Sequence, residues 1–214
     1  MIMSMIASDN GGSTIPKLEG GVYTAISSAI VDIGLQKNEK FDKTQRKFMM
    51  IWTILNEIVE VNGEELPRQL SKEYSFSLHE KSTLRKDLQA WRGKAFTEEE
   101  LKGFDILNVL NVPCQLQVLL EEKNSKQYNT IASLMALPKG TQVESLESTY
   151  YFDIENNETW ENWNKIPQWI KERIKKAENY EETGLKEFVD NLPEDLTEET
   201  EIFEETNNED DLPF

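Results

Sequence analysis

Hydrophobic periodicity changes twice along residues 21–137, from two to 3.6 and back to two, and that order restricts the architecture more than any other feature. Residues 21–34 (GVYTAISSAIVDIG) are small, β-branched and turn-bounded, which predicts a strand with Gly34 at a bulge or bend. After a polar loop over 37–43, residues 45–55 (QRKFMMIWTIL) are strand-like and apolar on both faces. Asn62-Gly63 marks a turn, and 66–78 predicts a third strand with Tyr74, Phe76 and Leu78 on one side and Ser75 and Ser77 on the other. Residues 82–91 then place Leu84, Leu88 and Trp91 at i, i+4 and i+7, the stripe of a helix. Thr97 with Glu100 matches a capping box, so a second short helix is expected from residue 98. From Pro113, the residues Cys114, Leu116, Val118 and Leu120 alternate against Gln115 and Gln117. Asn124-Ser125 turns the chain, and 128–137 runs back as a fifth strand.

Three strands, a helix and two strands is the order of the OB-fold, the small Greek-key barrel that binds oligonucleotides. The expected class is therefore mostly β with added α: a five-stranded OB-fold barrel with a helix between strands three and four. An SH3-like barrel shares the strand count but lacks that helix. The barrel takes residues 21–140, behind a flexible arm over 1–20. Residues 141–180 form a second, helical unit, in which Trp160, Trp163, Ile166, Trp169, Ile170, Arg173 and Ile174 follow helical spacing, with Pro167 tolerable near a helix start. This stripe reads as an interface packed on the barrel, with a base-stacking platform as the alternative. Residues 181–214 carry one lysine and 14 acids, so they predict a disordered tail apart from a short turn near 185–189.

Charge is segregated along the chain. Residues 1–140 hold 17 Lys and Arg against 18 Asp and Glu; residues 141–214 hold 6 against 22, and the two balances of −1 and −16 make the net −17. The pI of about 4.5 would ordinarily argue against a nucleic-acid ligand, but here the acid sits mostly on the C-terminal segment and the barrel is near neutral. A single cysteine, Cys114, excludes an intramolecular disulfide and fits a reducing cytoplasm. The first residues lack the basic flank and apolar run of a signal peptide, and no run of about 18 apolar residues predicts a membrane span.

Catalysis has little support. His79 is the lone histidine, at a strand-to-helix passage, and Cys114 alternates with apolar neighbours as a core thiol does. There is no phosphate-cradling glycine loop, zinc spacing or serine elbow, so no cofactor and no metal are expected. Binding has more. A protein that coats single strands needs cations along the phosphates and flat side chains under the bases. The first hairpin offers Lys37, Lys40, Phe41 and Lys43, followed by Arg46 and Lys47; the third strand offers Arg68, Lys72, Tyr74 and Phe76. These are the elements whose face binds ligands in OB-folds. On the second strand Phe48, Met50, Trp52 and Ile54 share one face, and Lys47, Met49, Ile51 and Thr53 the other. With the bulkier face as core, Lys47 and Met49 turn to the ligand, although a register shift of one swaps the faces. Lys81, Arg85, Lys86, Arg92 and Lys94 form a second basic cluster, read as a solvated helix face.

The last five residues, Asp210, Asp211, Leu212, Pro213 and Phe214, place a proline-aromatic carboxylate behind an acidic run. This tip resembles the C-terminal hook of bacterial and phage single-stranded-DNA-binding proteins. Gly21-Val22-Tyr23, residues 46–52, Leu66-Pro67-Arg68, residues 131–140 (IASLMALPKG) and residues 163–180 are similar to phage replication proteins of that group. The resemblance covers roughly residues 20–180, with the hook matching separately. It implies sequence-independent coating of single-stranded DNA during phage replication or recombination in a bacterial cytoplasm, with Tyr23 among the contacts. It also implies recruitment of replication or recombination proteins through the tip. The helical unit and the missing Gly/Gln-rich linker depart from cellular members, so their tetramer does not carry over, although a homo-oligomer stays open. Rival readings are an acidic DNA mimic that blocks a host enzyme and a mediator that anneals strands.

Overall fold

The computed structural model describes residues 16–38, 42–61 and 64–193. Strands β1 (Gly21–Asn38), β2 (Lys43–Val61) and β3 (Glu64–Ser75) form an antiparallel meander. Helix α1 (Thr83–Arg92) follows, and then the hairpin of β4 (Pro113–Lys123) and β5 (Lys126–Met135). β1 pairs with both β2 and β4, giving the order β3-β2-β1-β4-β5 in a mostly antiparallel sheet. Register shifts between Ser27 and Ala29 and between Asp32 and Gly34 mark irregularities that let the long β1 coil. Gly34 has φ 75°, and a Cβ there would lie 2.7 Å from both Ala177 Cβ and Asn179 Oδ1. The bend expected at this glycine is present, and it is also a point of close packing.

The sheet curls into a half-barrel compatible with an OB-like fold. The expected closed barrel is met only in part, because β3 and β5 are the two ends of the strand order. Side chains and a short chain segment bridge the gap between them. Leu18 and Asn129 exchange two hydrogen bonds, Leu18 N to Asn129 Oδ1 at 2.8 Å and Asn129 Nδ2 to Leu18 O at 2.9 Å. Arg68 Nη2 on β3 donates to Pro16 O at 2.5 Å, and Lys72 Nζ reaches Ile131 O on β5 at 3.3 Å. Residues 16–18 are thus built into the seam, and the flexible arm expected over 1–20 does not extend through them.

Helix α1 covers the same seam. Its Ser82 side chain accepts from Arg85 N as N-cap, Gly93 ends it in the left-handed region, and Leu84, Leu88 and Trp91 are buried. Inside the curl they meet Phe48, Trp52, Leu70, Leu116 and Ile131; each such aliphatic side chain contributes about 1.5–3 kcal/mol by leaving water. Asn124 and Ser125 both have positive φ and form the two-residue β4–β5 loop, as the sequence expects. The Asn62-Gly63 turn lies outside the described residues. The Thr97/Glu100 box forms, with Thr97 N donating to Glu100 Oε2 at 2.8 Å and Glu100 N to Thr97 Oγ1 at 3.2 Å. It caps a single 3-10 turn, Glu100–Lys102, and not a second α-helix.

A second hydrophobic core lies on the other face of β1 and β2. Strand β6 (Tyr150–Phe152) pairs parallel with Ala29, Ile30 and Val31, and a 3-10 segment, Asn157–Lys165, leads to α2 (Gln168–Lys175). Trp160, Trp163, Ile166, Ile170 and Ile174 pack with Ala29, Val31, Ile33, Met49 and Ile51. The aromatic stripe is an interface on the sheet. Helix α3 (Leu185–Asp190) continues this unit, with Leu185 fully buried and Phe188 5.4 Å from Trp160. Packed structure therefore runs past residue 180, where the sequence reading begins the disordered tail. No helix among the described residues is long and apolar enough to cross a membrane.

Candidate nucleic-acid interface

Having a cover on both faces removes several expected contacts from solvent. Met49, expected toward the ligand, is 3% exposed in the second core. Lys47 Nζ lies 2.8 Å from Glu73 Oε1, and Arg173 Nη2 on α2 lies 2.6 Å from Glu73 Oε2. Both faces of β2 are interior over residues 48–54, so the choice between Phe48/Trp52 and Lys47/Met49 has no single winner.

On β3 the expected phosphate and base contacts turn into the seam. Arg68 is buried. Lys72, also buried, pairs with Asp87 Oδ2 of α1 at 3.0 Å, and the same oxygen accepts from Tyr74 OH at 2.7 Å. Asp87 is the partner that sequence reasoning missed. Its signal is that it sits beside Leu84, Leu88 and Trp91 on the apolar stripe, where a carboxylate requires a buried partner. Tyr23 is half-buried, with its hydroxyl donating to Glu19 O at 2.9 Å. Burial raises its phenol pKa, and Glu57 and Glu19 add to that.

Arg46 and Phe76 do come together, at the mouth of the curl. Phe76 extends the aromatic ladder Phe48–Tyr74, its ring 4.6 Å from Phe48, yet it stays 45% exposed. The Arg46 guanidinium lies 5.4 Å from the Phe76 centroid. It spans Asp32 Oδ2 (2.6 Å), Asp153 Oδ1 (2.9 Å) and Glu155 Oε2 (3.2 Å). Burial pushes the Asp32 carboxyl up, against the opposing hydrogen bonds from Arg46 and Gly34 N. Next to these groups lies a cleft of about 300 Å³, walled by Phe76, Phe104, Leu107 and Tyr151 with Asp105 and Asp153 on its rim. Asp105 and Asp153 each accept a backbone N–H through Oδ1, from Leu107 and Glu155 respectively, both at 2.9 Å. Of these residues the sequence reading named only Arg46 and Phe76 as contacts; the structure leaves Tyr151 exposed between the partly buried Tyr150 and the buried Phe152.

Exposed cations stand on the elements that lead to and from these residues. Lys37 and Lys43 are exposed at the β1–β2 hairpin, Lys37 3.5 Å from Asp42; Lys40 and Phe41 lie outside the described residues. Beyond Phe76 the chain turns through residues 77–82, held by Ser82 Oγ donating to Ser77 O at 2.7 Å, and carries exposed Lys81 and Lys86 toward α1. Of the second basic cluster, Arg92 is tied to Glu100 and lies over the Phe96 and Phe104 rings. His79 is exposed. Cys114 is fully buried, and burial raises its thiol pKa. The tip, Asp210 to Phe214, is outside the described residues. In comparisons with known proteins, the chain matches no protein-family model and no curated protein sequence.

Proposed function

We propose that this chain binds single-stranded DNA at the mouth of its curled sheet and recruits replication or recombination enzymes through its last five residues. The observation that carries the reading is the strand order β3-β2-β1-β4-β5 with α1 laid over the gap between β3 and β5. That order is compatible with an OB-like fold, in which the loops joining strands one to two and four to five serve oligonucleotides together with the face of strands two and three. Exposed Phe76 and Tyr151 supply faces for stacking, at about 1–3 kcal/mol per base. Lys37, Lys43, Lys81 and Lys86 supply charge for phosphates outside the cleft. In this reading the outer face of β2 takes no part, since the helical unit occupies it. Asp210, Asp211, Leu212, Pro213 and Phe214 present apolar anchors and a carboxylate to a basic, slotted partner.

The test is a fluorescence-anisotropy titration of labelled single-stranded and duplex oligonucleotides with the full chain and with a version lacking Phe214. Tighter binding to the single strand, weakening as salt rises and unaffected by loss of Phe214, supports the DNA half. Loss of capture of replication enzymes by the truncated version supports the other half. Equal affinity for duplex, or none for either, defeats the proposal.

A further inference from the structure

The mouth cleft carries the wrong charge for a phosphate. Arg46 is its guanidinium, and the Nε, Nη1 and Nη2 of that group are already directed at Asp32, Asp153 and Glu155. Of its carboxylates, the Oδ2 atoms of Asp105 and Asp153 make none of the hydrogen bonds found among the described residues and stand open as acceptors, beside the phenol of Tyr151. The same cleft is lined by Phe76, Phe104, Leu107 and Tyr151. About three residues further along β2, roughly 10 Å at strand rise, exposed Lys43 stands opposite Asn38 and close to Lys37.

We infer that the cleft takes one unpaired base bearing an exocyclic amine (cytosine, adenine or guanine) and discriminates against thymine, the backbone running outside along the hairpin lysines. The inference rests on the single-stranded-DNA reading and adds a base preference to it. A carboxylate accepts a hydrogen bond from the amine of cytosine or adenine. Thymine offers only its N3–H, set between two carbonyl oxygens, so a carboxylate approaching that donor meets two acceptors. The flat walls hold any base by stacking; the carboxylates choose among them. A basic protein segment would also suit the carboxylates, but the neighbouring lysines repel it, whereas a ligand with amine edges and phosphates satisfies both regions.

The experiment uses the full chain and labelled 20-mers of deoxycytidine, of thymidine and of the 2-pyrimidinone deoxynucleoside, which is cytosine without its amine. Asp105→Asn keeps an N-cap oxygen for Leu107 N while adding a donor, and Glu144→Gln makes the same charge change at an exposed residue that does not line the cleft. Expected are at least about fivefold tighter binding of the cytidine oligomer than of the thymidine oligomer and pyrimidinone behaviour like thymidine. In Asp105→Asn the ratio should fall toward one, and in Glu144→Gln it should stay. Equal binding of the three oligomers, or a ratio unmoved by Asp105→Asn, overturns the base preference and leaves DNA binding standing. Failure to bind any oligomer removes both. An arginine-rich nonapeptide that binds in an Asp105-dependent way, with oligomer affinities indifferent to Asp105→Asn, overturns the inference in favour of a protein ligand.

Discussion

Arg173 Nη2 on α2 lies 2.6 Å from Glu73 Oε2 on β3, although the two residues are 100 positions apart in the sequence. Lys47 meets the other Glu73 oxygen at 2.8 Å. The triad pins the helical unit over the outer face of the sheet and converts a surface expected to meet DNA into an interior.

Met49 and Ile170, both buried in that interior, should behave as core residues. Met49→Ala and Ile170→Ala are each expected to lower unfolding free energy by about 2–5 kcal/mol, read by urea denaturation. Oligonucleotide affinity of the folded fraction should not change. A loss of affinity in Met49→Ala without loss of stability would return this face to the ligand.

Phe76 should divide the other way. Its ring is nearly half exposed, so Phe76→Ala should cost little stability, while single-strand affinity falls by about 1–3 kcal/mol through the lost stack. Parallel thermal melts and anisotropy titrations separate the two effects.

Lys72 and Asp87 form a buried pair at 3.0 Å. Asp87→Ala strands the ammonium in the seam and should cost about 3–5 kcal/mol, whereas Lys72→Met with Asp87→Leu should recover part of that loss, less what the Tyr74 hydroxyl forfeits with its Asp87 acceptor. Denaturation midpoints of the single and double variants check it.

Asp32 provides the pH dependence. Burial raises its folded pKa above the unfolded value, so the folded state takes up a proton more readily. The resulting destabilisation is present above the folded pKa and fades as pH falls through it. Arg46→Met removes the main opposing charge and should lower stability at neutral pH by up to about 3 kcal/mol, the lower end of the usual range because Arg46 is 35% exposed. The deficit should shrink on acidification; a deficit that grows instead contradicts the assignment.

Gly34→Ala tests the close approach of β1 to residues 177–179. With φ at 75° and a Cβ only 2.7 Å from Ala177 Cβ, it should destabilise by more than about 1 kcal/mol, measured by calorimetry.

Much of the local structure was legible. The alternation in β4, the stripe of α1, the bend at Gly34 and the turn at Asn124-Ser125 each depend on neighbours a few residues away, and each is found near its expected place. The candidate site was much less legible. Arg68, Lys72 and Tyr74 look like a ligand-facing row, yet their partners are Pro16, Ile131 and Asp87, residues that only the seam brings near. The 45–55 segment carried its own warning, since a strand apolar on both sides needs two covers, and the stripe from Trp160 to Ile174 is the second one.

The sequence by itself determined the five main strands and α1, because side-chain periodicity and turn chemistry act through the adjacent backbone. Only the tertiary structure decided which faces meet water. Burial depends on what another segment lays against a face, so Met49 and Lys72 became interior while Phe76 stayed exposed at the mouth.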